Sequence, residues 1–104
     1  MSNPKNWWYG NVKRAVMESP KYRNSRQVEC KRYIEAIDKA LEDVKGMPNA
    51  DERLYAIDEI LFRQTRTIDG VALKLSYSWR VVQNWITEFI NLVGKYKGFE
   101  EGEQ

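Results

Sequence analysis

The sequence predicts an all-α chain, and three observations predict it. Apolar residues recur at steps of three and four, as at Cys30, Ile34, Ile37, Leu41 and Val44, the spacing that lines one side of a helix. Nothing in the chain reads as a strand, a repeat or a linker. The breaks between periodic stretches are short, and the clearest, Gly46-Met47-Pro48-Asn49, has a glycine to end one helix and a proline to stop its continuation. The expected architecture is a small bundle of four to five helices with a C-terminal helix-turn-helix. A chain of 104 residues makes one domain with a modest core, with basic N-terminal helices over 1–45 and a helix-turn-helix-containing half over 50–97.

In chain order, the polar start with Pro4 reads as a tail. Trp7, Trp8 and Tyr9 open a helix that runs to about Glu18, with Val12, Ala15 and Val16 on its apolar side. Three adjacent aromatics are costly to leave in water, so the group either caps the core or docks another chain. Ser19-Pro20 is expected to end this helix, because proline disfavours helical geometry in the residue before it. The longest helix is expected over 21–45, with the Cys30–Val44 seam as its buried side and Cys30 as a small core residue. Its first half is basic, with Lys21, Arg23, Arg26, Lys31 and Arg32 against Glu29 alone. That run is either a solvated face or, with Lys13 and Arg14, a phosphate-contacting patch. A third helix follows from Ala50 or Asp51 to Arg66, acidic at its start and basic at its end as the helix dipole favours. Residues 95–104 read as a frayed acidic end on which Tyr96 and Phe99 can still pack.

Composition narrows the function. Lys and Arg number 17 against 15 Asp and Glu, so the chain is no polycation for nonspecific coating of nucleic acid. Residues 1–66 nevertheless hold 13 basic and 10 acidic side chains, and residues 67–104 hold 4 and 5. The absence of histidine removes imidazole catalysis and imidazole metal sites, and a single cysteine allows neither an internal disulfide nor a zinc cluster. The carboxylate pairs Asp38/Glu42, Asp51/Glu52 and Asp58/Glu59 lie beside Lys or Arg on expected helix surfaces or caps, so no enzyme and no cofactor is expected. No apolar run reaches the length of a membrane span, and Met1 to Gly10 lacks a signal-peptide core. A soluble cytoplasmic protein is expected.

Residues 67–89, TIDGVALKLSYSWRVVQNWITEF, concentrate the functional signal. A first helix over 68–75 has Val71, Ala72 and Leu75 on its apolar face. Ser76-Tyr77 breaks the pattern, and Ser78 is a good N-cap for a second helix. Val82, Trp85, Ile86, Phe89 and Val93 form the buried side of that helix. Ala72 is small where the two helices cross. Ser76 occupies a turn position that favours positive φ, at a cost of about 1 kcal/mol relative to glycine. Two helices joined by so short a turn form the unit that sets a helix into the DNA major groove.

The stretch over 53–99 resembles the C-terminal half of phage-encoded transcriptional regulators of the RinA/ArpU type, whose tail is similar to region 4 of sigma factors. In that family a helix ends in an aromatic-basic stretch, a Thr-x-x-Gly-x-Ala-x-x-Leu helix follows, and a serine opens the reading helix. Thr67, Gly70, Ala72, Leu75 and Ser78 stand at those places, and Ser-Pro-Lys-Tyr at 19–22 is similar to a Tyr-Pro-x-Tyr-type segment near the start of such proteins. The resemblance covers nearly half the chain and implies a DNA-binding regulator of late phage genes in a bacterial host. One departure is plain: the family's reading helix usually carries several Arg or Lys residues, and this one offers Arg80 with Glu88 close by.

The residues expected at base edges are therefore Ser78, Trp79, Arg80, Gln83, Asn84 and Thr87, where Arg suits guanine and Gln or Asn suit adenine. Arg63, Arg66, Thr67 and Lys74 are expected on phosphates. Double-stranded DNA is the expected partner, with host RNA polymerase and a homodimer as further candidates. The alternative is a protein-interaction module on the same helix-turn-helix, either a phage packaging component or a modulator of host RNA polymerase.

Overall fold

The structure is a computed structural model and describes residues 7–99. Five α-helices follow in order: α1 Tyr9–Tyr22, α2 Val28–Lys45, α3 Ala50–Ile57, α4 Ile68–Leu75 and α5 Trp79–Lys97. No strand occurs among the described residues. The polar start before Trp7 and the acidic Glu100, Glu101 and Glu103 lie outside them.

α5 is the central element, packed against all four other helices. Its inner residues Phe89, Ile90 and Val93 are buried with Val12 and Val16 of α1, Ile37 and Ala40 of α2, and Leu61. A second, smaller core lies under α4, where Val71 and Ala72 meet Ala56 of α3 and Val82 and Trp85 of α5. α4 and the first two turns of α5 thus rest on a smaller core of their own.

Four expectations need correction. α1 does not stop at Glu18 but continues through Pro20 to Tyr22. Proline has no N–H for the Val16 carbonyl one turn back, and the buried Ser19 hydroxyl donates to that carbonyl instead, at 2.6 Å. α2 begins at Val28, not at residue 21, because 21–22 belong to α1 and 23–27 form the connection. Its buried side is centred on Ala36, Ile37, Ala40 and Val44, so the expected seam is one edge of it and Cys30 is only half-buried, its thiol 3.9 Å from Gln27 Oε1. Finally, α3 does not run to Arg66. It passes into a π-helical turn, Asp58–Phe62, closed by the Arg63 N–H on the Asp58 carbonyl. Gln64 then takes a left-handed conformation, φ 56°, and its side-chain amide donates to the Met17 carbonyl of α1 at 3.0 Å. The left-handed Gln64 turns the chain so that the Thr65 N–H closes on the Glu59 carbonyl at 2.9 Å, which ends the helix, and the Gln64 side chain ties that end to α1.

The aromatic start divides. Trp8 is buried, its ring stacked 6.1 Å from Phe99, while Trp7 stays exposed and meets Phe99 edge-on. A Cβ placed on Gly94 would fall 2.5 Å from Trp8 Cζ3, so glycine is what lets the indole lie on α5. α5 closes on Gly98 at φ 98°, whose following residue returns the Phe99 N–H to the Gly94 carbonyl.

Candidate nucleic-acid interface

α4 and α5 are joined by three residues, 76–78. Ser76 has φ 64°, the Tyr77 N–H bonds the Ala72 carbonyl at 3.0 Å, and the Ser76 N–H bonds the Leu73 carbonyl at 3.3 Å. This pair of bonds ends a helix and turns the chain sharply. Ser78 then caps α5, its hydroxyl accepting from the Val81 N–H at 3.3 Å. Val82, Trp85, Ile86, Phe89 and Val93 are all buried, as their spacing predicts. Ala72 is 5% exposed in the cluster between α4 and α5.

α3 fixes the turn from the other side. The Tyr77 hydroxyl donates to Glu52 at 3.0 Å, and its ring meets Trp85 edge-on at 5.0 Å. Glu52 acts as acceptor and holds the Tyr77 hydroxyl in its protonated form, raising its pKa above the ordinary phenol value. Arg53 lies 5.7 Å over the Trp85 ring, pairs with Glu88 at 2.6 Å and donates to the Pro48 carbonyl at 2.9 Å. Glu88 on α5 is thereby partly neutralised. Sequence spacing gave no sign of these contacts, since Arg53 and Glu88 stand 35 residues apart.

The six residues expected at base edges fall into two groups. Ser78, Trp79, Arg80 and Asn84 are exposed, and Arg80 has no ion-pair partner among the described residues. Gln83 and Thr87 are half-buried, and the Gln83 amide donates to the Thr87 hydroxyl at 3.2 Å. That bond uses one of the two amide hydrogens and leaves the other and the carbonyl oxygen to an outside partner. Thr87 acts here to orient Gln83. A shallow depression of about 470 Å³ beside α5 is rimmed by Asn84, Thr87, Glu88 and Arg53.

The four residues expected on phosphates have partners within the chain. Arg63 pairs with Asp58 at 2.9 Å and Arg66 approaches Glu59 at 3.7 Å. Thr67 caps α4, accepting from the Gly70 N–H at 3.1 Å, and Lys74 lies 5.5 Å over the Tyr55 ring. Two apolar side chains stand out on the same region, Leu73 of α4 at 83% exposure and Trp79 of α5 at 51%.

Among the described residues no helix is long and apolar enough to cross a membrane, and no cluster of acidic or thiol side chains is placed to hold a metal. Comparison with protein families, with characterised proteins and with solved structures finds no match to this chain.

Proposed function

We propose that the chain is a sequence-specific DNA-binding regulator in which α4 and α5 form a helix-turn-helix and the Ser78 end of α5 enters the major groove. One observation carries this: the first two turns of α5 present Arg80 and Asn84 outward, while buried Ala72 and the Glu52 and Arg53 contacts hold the helix in place. A groove reader needs base-contacting side chains on a rigid element. Gln83, held by Thr87, adds a third polar side chain with spare donor and acceptor capacity. The resemblance to RinA/ArpU-type phage regulators supports the same reading and suggests a late-gene regulator acting in the bacterial cytoplasm, as a homodimer on a two-fold operator or beside host RNA polymerase.

Duplexes selected from a random pool by the protein test it. Arg80→Ala is expected to weaken the selected duplex by about 1–3 kcal/mol and to relax preference at one base pair. A Gln83→Ala, Asn84→Ala double variant that matches wild type on every duplex, selected or not, overturns base reading.

The exposure of Leu73 and Trp79 favours a second reading, a protein-interaction module of the kind found in packaging components or polymerase modulators. Elution from a DNA resin at low salt, with a discrete partner retained through Trp79, is the result that selects it.

A further inference from the structure

Arg63 and Arg66 meet Asp58 and Glu59 of the π-helical turn just before them, so their positive charge is partly cancelled before any ligand arrives. The cations without an ion-pair partner among the described residues include three on one side of α1: Lys13, Arg14 and Lys21. They line a groove of about 440 Å³ whose wall also contains Met17, Glu18 and Gln64. Glu18 is the single acid there, and it accepts from the Tyr22 hydroxyl at 3.1 Å.

We infer that this α1 groove holds the phosphodiester backbone of the DNA strand flanking the site that α5 reads. The inference rests on the DNA-binding reading above and names where its electrostatic attraction resides. Three cations against one acid leave the groove positive. Lys13 and Lys21 are eight residues apart on a helix, about 12 Å along its axis. A DNA strand presents one charge per roughly 3.4 Å of duplex axis, so that length follows several phosphates. The groove is also tied to the reading unit. Gln64, in its left-handed conformation, binds the Met17 carbonyl, and three residues later Thr67 caps α4, which leads into α5. The joint between groove and reader is therefore a short loop fixed at both ends. All three cations are exposed, so replacing them removes charge and little packing.

The test is the salt dependence of duplex binding by the full chain, measured on a selected duplex and on an unrelated one. The Lys13→Ala, Arg14→Ala, Lys21→Ala variant is expected to bind both more weakly by the same factor. Its slope of log K against log salt is expected to fall by about 2–3, since each phosphate contact contributes roughly 0.9. Glu18→Gln is expected to bind both duplexes several-fold more tightly. Arg63→Ala, Arg66→Ala is expected to change the slope by less than the α1 variant does. A wild type that binds its selected duplex, with a slope untouched by the α1 substitutions and an unchanged melting temperature, overturns the groove assignment alone. A wild type that binds no duplex overturns it together with the reading beneath it. Loss of binding to vesicles of acidic phospholipid in the α1 variant, with duplex binding intact, assigns the groove to a lipid surface instead.

Discussion

At the scale of single residues, Gly94 and Ser76 show backbone and side chain limiting each other. Gly94 is buried in the last turn of α5, where glycine is a poorer helix former than alanine by up to about 1 kcal/mol. It is there because Trp8 lies where a Cβ would go. Gly94→Ala is accordingly expected to destabilise the fold by about 1–3 kcal/mol despite the better helix former, since the indole must move out of a packed site. Urea unfolding measures this, and an unchanged or raised midpoint contradicts the close approach. Ser76 is the reverse case, a side chain held at positive φ where glycine is cheaper, and its turn remains closed by two backbone bonds.

At the scale of elements, helix ends separate what local sequence dictates from what the fold imposes. α4, the Ser78 cap and the buried side of α5 were legible because each depends on residues within a few positions. The end of α1 was not legible, because Ser19 supplies the bond that Pro20 cannot. The start of α2 was hidden because α1 runs on through Pro20 to Tyr22, and the rotation of α2 was hidden by alanine, since Ala36 and Ala40 are buried and a small apolar residue marks neither face in sequence. The helix that begins as α3 stops at Gln64, a non-glycine residue in the left-handed conformation that carries no turn signal in sequence. In the candidate site, the outward residues were readable from helical spacing, whereas Glu52, Arg53 and the Gln83–Thr87 bond depend on tertiary contacts. Lys97 belongs to this scale too. Its side chain, 9% exposed, lies over the rings of Tyr33 and Phe99 and pairs with Glu29, which joins the end of α5 to the start of α2. The hydrogen bond from Lys97 holds the Glu29 carboxyl below the usual glutamate range. A depressed carboxyl stabilises the fold above its unfolded pKa of about 4.5 and loses that contribution as pH falls through its folded value. Glu29→Gln should therefore flatten the acid limb of the stability curve below about pH 4.5. The change should be modest because Glu29 is 61% exposed and screened by water. Identical acid limbs in variant and wild type, followed by thermal unfolding across pH, contradict the pairing.

At the scale of the whole molecule, the two apolar clusters divide the work. The larger one, with Trp8 and the C-terminal half of α5, holds α1 and α2 on α5. The smaller one, with Ala72 and Trp85, seats α4 and the outward-facing start of α5 on α3. In the function proposed above, the surface over the smaller cluster meets the DNA bases, and the α1 groove supplies charge. The most direct measurement is a titration of the isotopically labelled chain with its selected duplex, followed amide by amide in NMR spectra. The expected result is that amides of Ser78, Trp79, Arg80 and Asn84 shift most, that those around Lys13 and Lys21 shift less, and that Lys95 to Gly98 stay still. Shifts centred on Leu73 and Trp79 only with a protein added, and none at Arg80 or Asn84 with DNA, contradict it.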